Sequence, residues 1–241
     1  MRRDRGSGTS GSATMPEAAA HAQGILMARP DAAAGPGLPA GTNAIGLGGT
    51  RDGLVQVPGV APPGRRPPLL VMLHGAGASS ADVLPMVASC AEQHAVVVLV
   101  PDSRGATWDL IQRGYGPDVA FLDAALGRLF ARQAVDPARI AVAGFSDGAS
   151  YALSLGLANG SLFGDVLAFS PGFCAPARRE GTPRIFLSHG REDPVLPFAR
   201  CGDRVAGALA RDGYDVAYRP FSGGHAVPSP LVAEAFRRFL A

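Results

Sequence analysis

The chain has 241 residues, with 22 basic and 20 acidic side chains, a net charge of +2, 47% hydrophobic residues and 17% charged ones. That length fits one large domain with a sizeable buried core. Short, separated arginine pairs (Arg2-Arg3, Arg65-Arg66, Arg178-Arg179, Arg237-Arg238) argue against a nucleic-acid partner, which needs a clustered basic face. No run of 18 apolar residues exists, so no membrane span is expected. Cys90, Cys174 and Cys201 are odd in number, widely spaced and form no CxxC, which predicts free thiols and a cytoplasmic location.

Taken in chain order, the N-terminus begins with two arginines, but no apolar stretch follows them. Residues 1–20 read as an untargeted, disordered tail and 21–241 as the folded domain. Segments 25–28 and 54–57 are expected to be antiparallel strands at a sheet edge. Continuous apolar runs at 69–73, 95–100, 140–143, 166–169 and 185–187, with one more at 216–218, suit strands buried on both faces of a parallel sheet. Helical spacing of apolar residues fills 85–93, 118–133, 147–157, 198–211 and 230–240. Strands alternating with helices predict an α/β fold: a three-layer α/β/α sandwich on a mostly parallel sheet.

The chemistry starts at Gly144-Phe145-Ser146-Asp147-Gly148, a GxSxG between a strand and a helix. That arrangement makes a sharp turn lifting a serine hydroxyl above the sheet, with small flanking residues allowing strand and helix to approach. A serine hydroxyl needs a base. His225, in a Gly-rich loop before the last helix, is best placed; His21 and His94 read as surface residues. The base needs an orienting carboxylate, and the loop after strand 185–187 offers Asp193, with Glu192 as its neighbouring alternative. An oxyanion would be held by the backbone N–H of Asp147 and of Ala76, in the loop after strand 69–73. His74 in that loop reads as structural, bonding the loop backbone. No metal is expected, because no ligand cluster such as HExxH occurs, and no cofactor.

These motifs, together with Pro101-Asp102-Ser103-Arg104-Gly105, Thr107-Trp108-Asp109 and His189-Gly190, follow in an order that resembles the phospholipase/carboxylesterase family of α/β hydrolases, near poly(hydroxyalkanoate)-depolymerase-like esterases. The resemblance spans about residues 68–240. It implies an α/β-hydrolase fold and a triad of Ser146, Asp193 and His225, with Ala76 and Asp147 as oxyanion amides. It also selects Asp193 over Glu192, as the fifth residue counted from His189. It implies a serine hydrolase of carboxylic esters, acting on a small-molecule substrate. One departure is Asp147, where family members commonly carry Gln; a carboxylate beside the oxyanion hole is expected to tune substrate choice.

The connection 170–183 has 14 residues, too few for a helical cap domain. An open site follows, with Trp108, Leu110 and Phe173 as substrate walls alongside Pro171 and Phe145, of which Phe145 is the best suited to an ordinary core place. Such a site favours short or soluble esters. A thioesterase, amidase or peptidase would use the same triad. Two readings of other classes are a non-catalytic binding module and a dinucleotide-binding protein. The latter rests on Gly75-Ala76-Gly77 after a strand and Asp102 ending the next, but Ser80 stands where a third glycine belongs.

Overall fold

The computed structural model describes residues 15–31, 35–60 and 64–241; residues 1–14 of the expected tail lie outside them. The strands are β1 (Gly41–Ala44), β2 (Gly53–Val57), β3 (Leu69–Leu73), β4 (Val97–Pro101), β5 (Ile140–Phe145), β6 (Asp165–Phe169), β7 (Arg184–Gly190) and β8 (Val216–Phe221). The helices are α1 (Glu17–His21), α2 (Ser80–Gln93), α3 (Asp109–Gln112), α4 (Pro117–Arg132), α5 (Asp147–Ala158), α6 (Gly202–Arg211) and α7 (Ser229–Leu240). The eight strands form one sheet in the order β1-β2-β4-β3-β5-β6-β7-β8. Only β1 with β2 and β2 with β4 pair antiparallel; every other pair is parallel.

The continuous apolar strands bury both faces, as expected. Along β3, Leu69, Val71 and Leu73 join one core with α4, α5 and α6, while Leu70 and Met72 join the other with α2 and α7. The period-2 alternation of a strand thus feeds two helical layers. Each fully buried Leu or Val contributes about 1.5–3 kcal/mol, so central strands of this composition have no stable place at a surface.

Four sequence expectations are corrected here, the tail and His21 together. Residues 25–28 are not a strand. Three of their four N–H groups go to side chains instead: Leu26 N–H donates to Asn159 Oδ1, and Met27 and Ala28 N–H both donate to Asp123 Oδ1, while Ile25 N–H donates to Ala20 O. Second, the tail does not run to residue 20, because α1 begins at Glu17 and buries Ala20 and His21. His21 is not a surface residue; its Nε2 lies 2.9 Å from Asp123 Oδ2. Third, α2 starts five residues before Pro85, at a capping box in which Ser79 N–H and hydroxyl both donate to Asp82 Oδ2. His94, by contrast, is exposed, and Cys90, Cys174 and Cys201 are all free. Among the described residues no helix is long and apolar enough to cross a membrane.

Candidate functional site

Ser146 sits between β5 and α5 with φ +58° and ψ −121°, a backbone region that L-residues other than Gly rarely adopt. Close packing enforces the turn. A Cβ on Gly144 would stand 2.2 Å from Gly148 O, and one on Gly148 would stand 2.3 Å from Leu73 O. Glycine at both positions is therefore a steric requirement of the GxSxG motif, and it presses the elbow onto the end of β3. Ser146 N–H is anchored on Phe169 O at 2.9 Å.

The loops after β7 and β8 bring the other two predicted residues to the serine. His225 Nε2 lies 2.9 Å from Ser146 Oγ, and His225 Nδ1 lies 2.7 Å from Asp193 Oδ2. A hydroxyl can donate to Nε2 only if Nδ1 carries the imidazole proton, and the Asp193 carboxylate is the acceptor that holds it there. Asp193 Oδ1 accepts the N–H groups of Val195 and Leu196 at 2.9 and 2.8 Å. Burial alone would raise the Asp193 carboxyl, but the Leu196 amide, His225 and the Val195 amide together hold it below its ordinary value. Another histidine, the buried His189, donates from Nε2 to Leu196 O at 2.8 Å and stands 3.3 Å from Asp193 Oδ2. Nothing in the sequence reading had singled it out as support for the acid.

Glu192 points away from His225. Its Oε2 accepts the Gly223 N–H, and its own N–H donates to Gly223 O, so this exposed side chain braces the histidine loop from the solvent side. The two loops touch closely: a Cβ on Gly190 would stand 2.2 Å from Gly224 O.

Gly75 and Ala76 border the serine, with the Gly75 Cβ position 3.4 Å from Ser146 Cβ. Asp147 is the first residue of α5, so its N–H has no partner inside the helix. His74 is structural, as read from sequence. Its Nε2 accepts the Ser103 N–H at 3.0 Å, so Nδ1 carries the proton and donates to Gly75 O at 2.7 Å. Burial lowers its pKa despite the Gly75 bond, and the Arg51 charge adds to the lowering. Asp102 serves α2 rather than a ribose: its Oδ1 accepts the Ser80 N–H.

The cavity over Ser146 measures about 290 Å³ and is walled by Ala76, Met86, Phe145 and Val195 beside Ser146 and His225. None of Trp108, Leu110 and Phe173 lines it. Trp108 is fully buried because its indole N–H finds an acceptor in His74 O at 2.8 Å and its ring stacks on Tyr151. Leu110 packs on the core, Pro171 is buried, and Phe173 borders a different hollow. Phe145, read as the best core candidate, is half-buried and stands 4.8 Å from the His225 ring. No helix forms in 170–183. Among the described residues, one trio (Glu17, His21, Asp123) gathers possible metal ligands; the Asp123 oxygens are already taken by His21, Met27 and Ala28.

The family model described as phospholipase/carboxylesterase matches residues 120–237. An acyl-protein thioesterase 1 of Gibberella zeae is 36% identical over 114 residues, 42% of this chain and 48% of that protein. A probable feruloyl esterase C of Aspergillus oryzae is 31% identical over 107 residues, 44% of this chain and 38% of that one. The chain thus spans less than half the length of these curated relatives. Among solved structures, esterase PE8 superposes with a TM-score of 0.64 at 24% identity, covering 79% of this chain and 98% of that one. Sheet order and structural likeness agree on the fold: the chain has the α/β-hydrolase fold, and its residues 120–237 match the phospholipase/carboxylesterase family model.

Proposed function

We propose that the protein is a serine hydrolase that cleaves carboxylic esters through an acyl-enzyme. The observation that carries this is the continuous chain from Ser146 Oγ through both His225 nitrogens to Asp193 Oδ2, at 2.9 and 2.7 Å. His225 Nε2 takes the Ser146 proton as Oγ bonds to the ester carbonyl carbon. The carbonyl oxygen becomes an oxyanion, held by the Ala76 and Asp147 N–H groups. Asp193 stabilises the imidazolium without taking its proton. Collapse re-forms the carbonyl and breaks the bond to the alcohol oxygen, which leaves with the proton from Nε2. A water then gives its proton to Nε2 and attacks the acyl carbon. The second collapse releases the carboxylic acid and returns the proton to Ser146.

The small cavity, bounded by Met86 and the exposed Val195, supports short acyl groups, and the three free cysteines support a cytoplasmic place. The name of the Gibberella zeae relative favours a second reading, thioester hydrolysis, which uses the same residues with a thiolate leaving group. A fluorophosphonate probe should label Ser146 and not the Ser146→Ala variant. Matched p-nitrophenyl esters, thioesters and anilides then rank the leaving groups. Failure of the probe to label wild-type protein overturns the proposal.

A further inference from the structure

Beside the serine cavity lies a second hollow of about 160 Å³ with a different character. Its wall is apolar, from Phe173, Val205 and Leu209, and its rim carries Arg179, Arg200 and Arg204. The three arginines come from three separate segments: the 170–183 connection, the 3-10 turn Phe198–Arg200 and α6. Arg179 is fixed in place. Its Nη2 donates to Asp212 Oδ2 at 2.8 Å, and its guanidinium stands over the Tyr214 ring. Arg200 and Arg204 have no carboxylate within ion-pair distance among the described residues. Three cations therefore face one hollow with a single carboxylate between them. Guanidinium groups so gathered attract an anion, which they bind through paired N–H donors.

The lining of the hollow is tied to the segments that carry Ser146 and Asp193. Gly172 N–H donates to Ser150 Oγ at 2.9 Å, and Ser150 lies one turn of α5 beyond Ser146. On the other side, Leu196 packs 3.3 Å from the Gly172 Cβ position, while its neighbour Val195 lines the serine cavity. Residues 195–196 of the acid loop thus reach from the serine cavity to Gly172 in the lining of the hollow.

We propose that this hollow is an anion subsite, taking a carboxylate or phosphate group on an apolar stem. The group belongs either to the far end of a substrate seated at Ser146 or to a separate ligand. The substrate arm rests on the serine-hydrolase reading; the binding arm does not. Arg200 and Arg204 are exposed, so replacing both with Ala leaves the core untouched.

Two measurements on wild type and the Arg200→Ala/Arg204→Ala variant decide. The first is calorimetric titration with inorganic phosphate. The second is the kcat/KM ratio of monoethyl adipate, suberate and sebacate to ethyl hexanoate, octanoate and decanoate. We expect phosphate binding to weaken at least tenfold in the variant, and the acid-to-neutral ratio to fall at least tenfold for one chain length. The Arg200→Lys/Arg204→Lys variant should retain part of both. Weakened phosphate binding with unchanged ratios means that the subsite serves a separate anion. A fallen ratio without phosphate binding means that it serves the substrate's carboxylate. If wild type and the Ala variant show equal phosphate affinity and equal ratios, the proposal is overturned. Wild type that turns over no neutral ester defeats the hydrolase reading instead, and phosphate titration alone then judges the hollow.

Discussion

The Thr107 hydroxyl donates to Asp147 Oδ2 over 2.7 Å. One residue earlier in the same loop, Ala106 O accepts the Gly77 N–H at 2.7 Å. A single segment thus braces both backbone stretches that carry the proposed oxyanion donors. The carboxylate that departs from the family's usual Gln is what receives the Thr107 hydroxyl. Thr107→Val keeps the shape and removes the hydroxyl. It should lower kcat about tenfold with little change in KM, because donor placement matters most for the developing oxyanion. Steady-state kinetics on one ester tests this; a rise in KM alone would place Thr107 in substrate binding instead.

Ser146, the proposed nucleophile, sits in a strained backbone conformation. Ser146→Ala should cost on the order of 10⁴-fold or more in kcat. A variant keeping a tenth of wild-type turnover would sink the assignment. Ser146→Gly should be equally inactive but more stable by about 1 kcal/mol, since Gly accepts the +58° φ without penalty. Thermal melts of the two variants separate catalytic loss from strain relief.

Asp193 and Glu192 are adjacent carboxylates with different work. Asp193→Asn should cost roughly 10⁴-fold in kcat by favouring the wrong imidazole tautomer. Glu192→Gln keeps an acceptor for the Gly223 N–H and should cost less than about tenfold. A larger loss in the Glu192 variant would reverse the assignment.

Asp118 sets a pH dependence of stability. Burial, opposed by the Arg104 N–H and reinforced by the nearby Asp109 charge, pushes its carboxyl up to about 6. Between pH values near 4 and 6 the folded chain then holds a proton that the unfolded chain has released, so this group's contribution to stability is lost as pH rises through that window. The loss amounts to roughly 3 kcal/mol. Asp118→Asn should flatten that part of the profile. It should also lower stability at every pH, because Asp118 accepts both Arg104 and Asp109 N–H groups and an amide oxygen serves only one of them. Urea unfolding of both proteins from pH 4 to 7 measures the difference; parallel profiles would refute it.

The sequence disclosed what steric and periodic rules govern. Continuous apolar runs located the central strands, and Gly144 and Gly148 located the elbow because no other residue fits against Gly148 O and Leu73 O. Three departures from expectation share a cause: partners distant in sequence. Trp108 was read as an open wall, yet its buried indole depends on the His74 carbonyl 34 residues away. His21 was read as exposed, yet its partner Asp123 is 102 residues along the chain. Residues 25–28 have strand-like composition, but Asn159 and Asp123 supply the hydrogen bonds a neighbouring strand would have given. The start of α2 is different, being local: the capping box at Ser79 and Asp82 is legible in the sequence, and Pro85 sits inside the helix rather than at its start.

The grip on residues 24–28 makes that segment an internal peptide ligand. Asn159 Nδ2 donates to Gly24 O while its Oδ1 receives Leu26 N–H, and Asp123 gathers His21, Met27 and Ala28. One short stretch therefore cross-links α4 to the end of α5, the helix that follows Ser146. A chain cut after residue 31 leaves a buried carboxylate and a buried amide without their partners, which costs several kcal/mol. A synthetic peptide of residues 15–31 presents the same groups in trans. Supplied to the shortened chain, it should restore melting temperature and turnover together, with a saturable dose dependence.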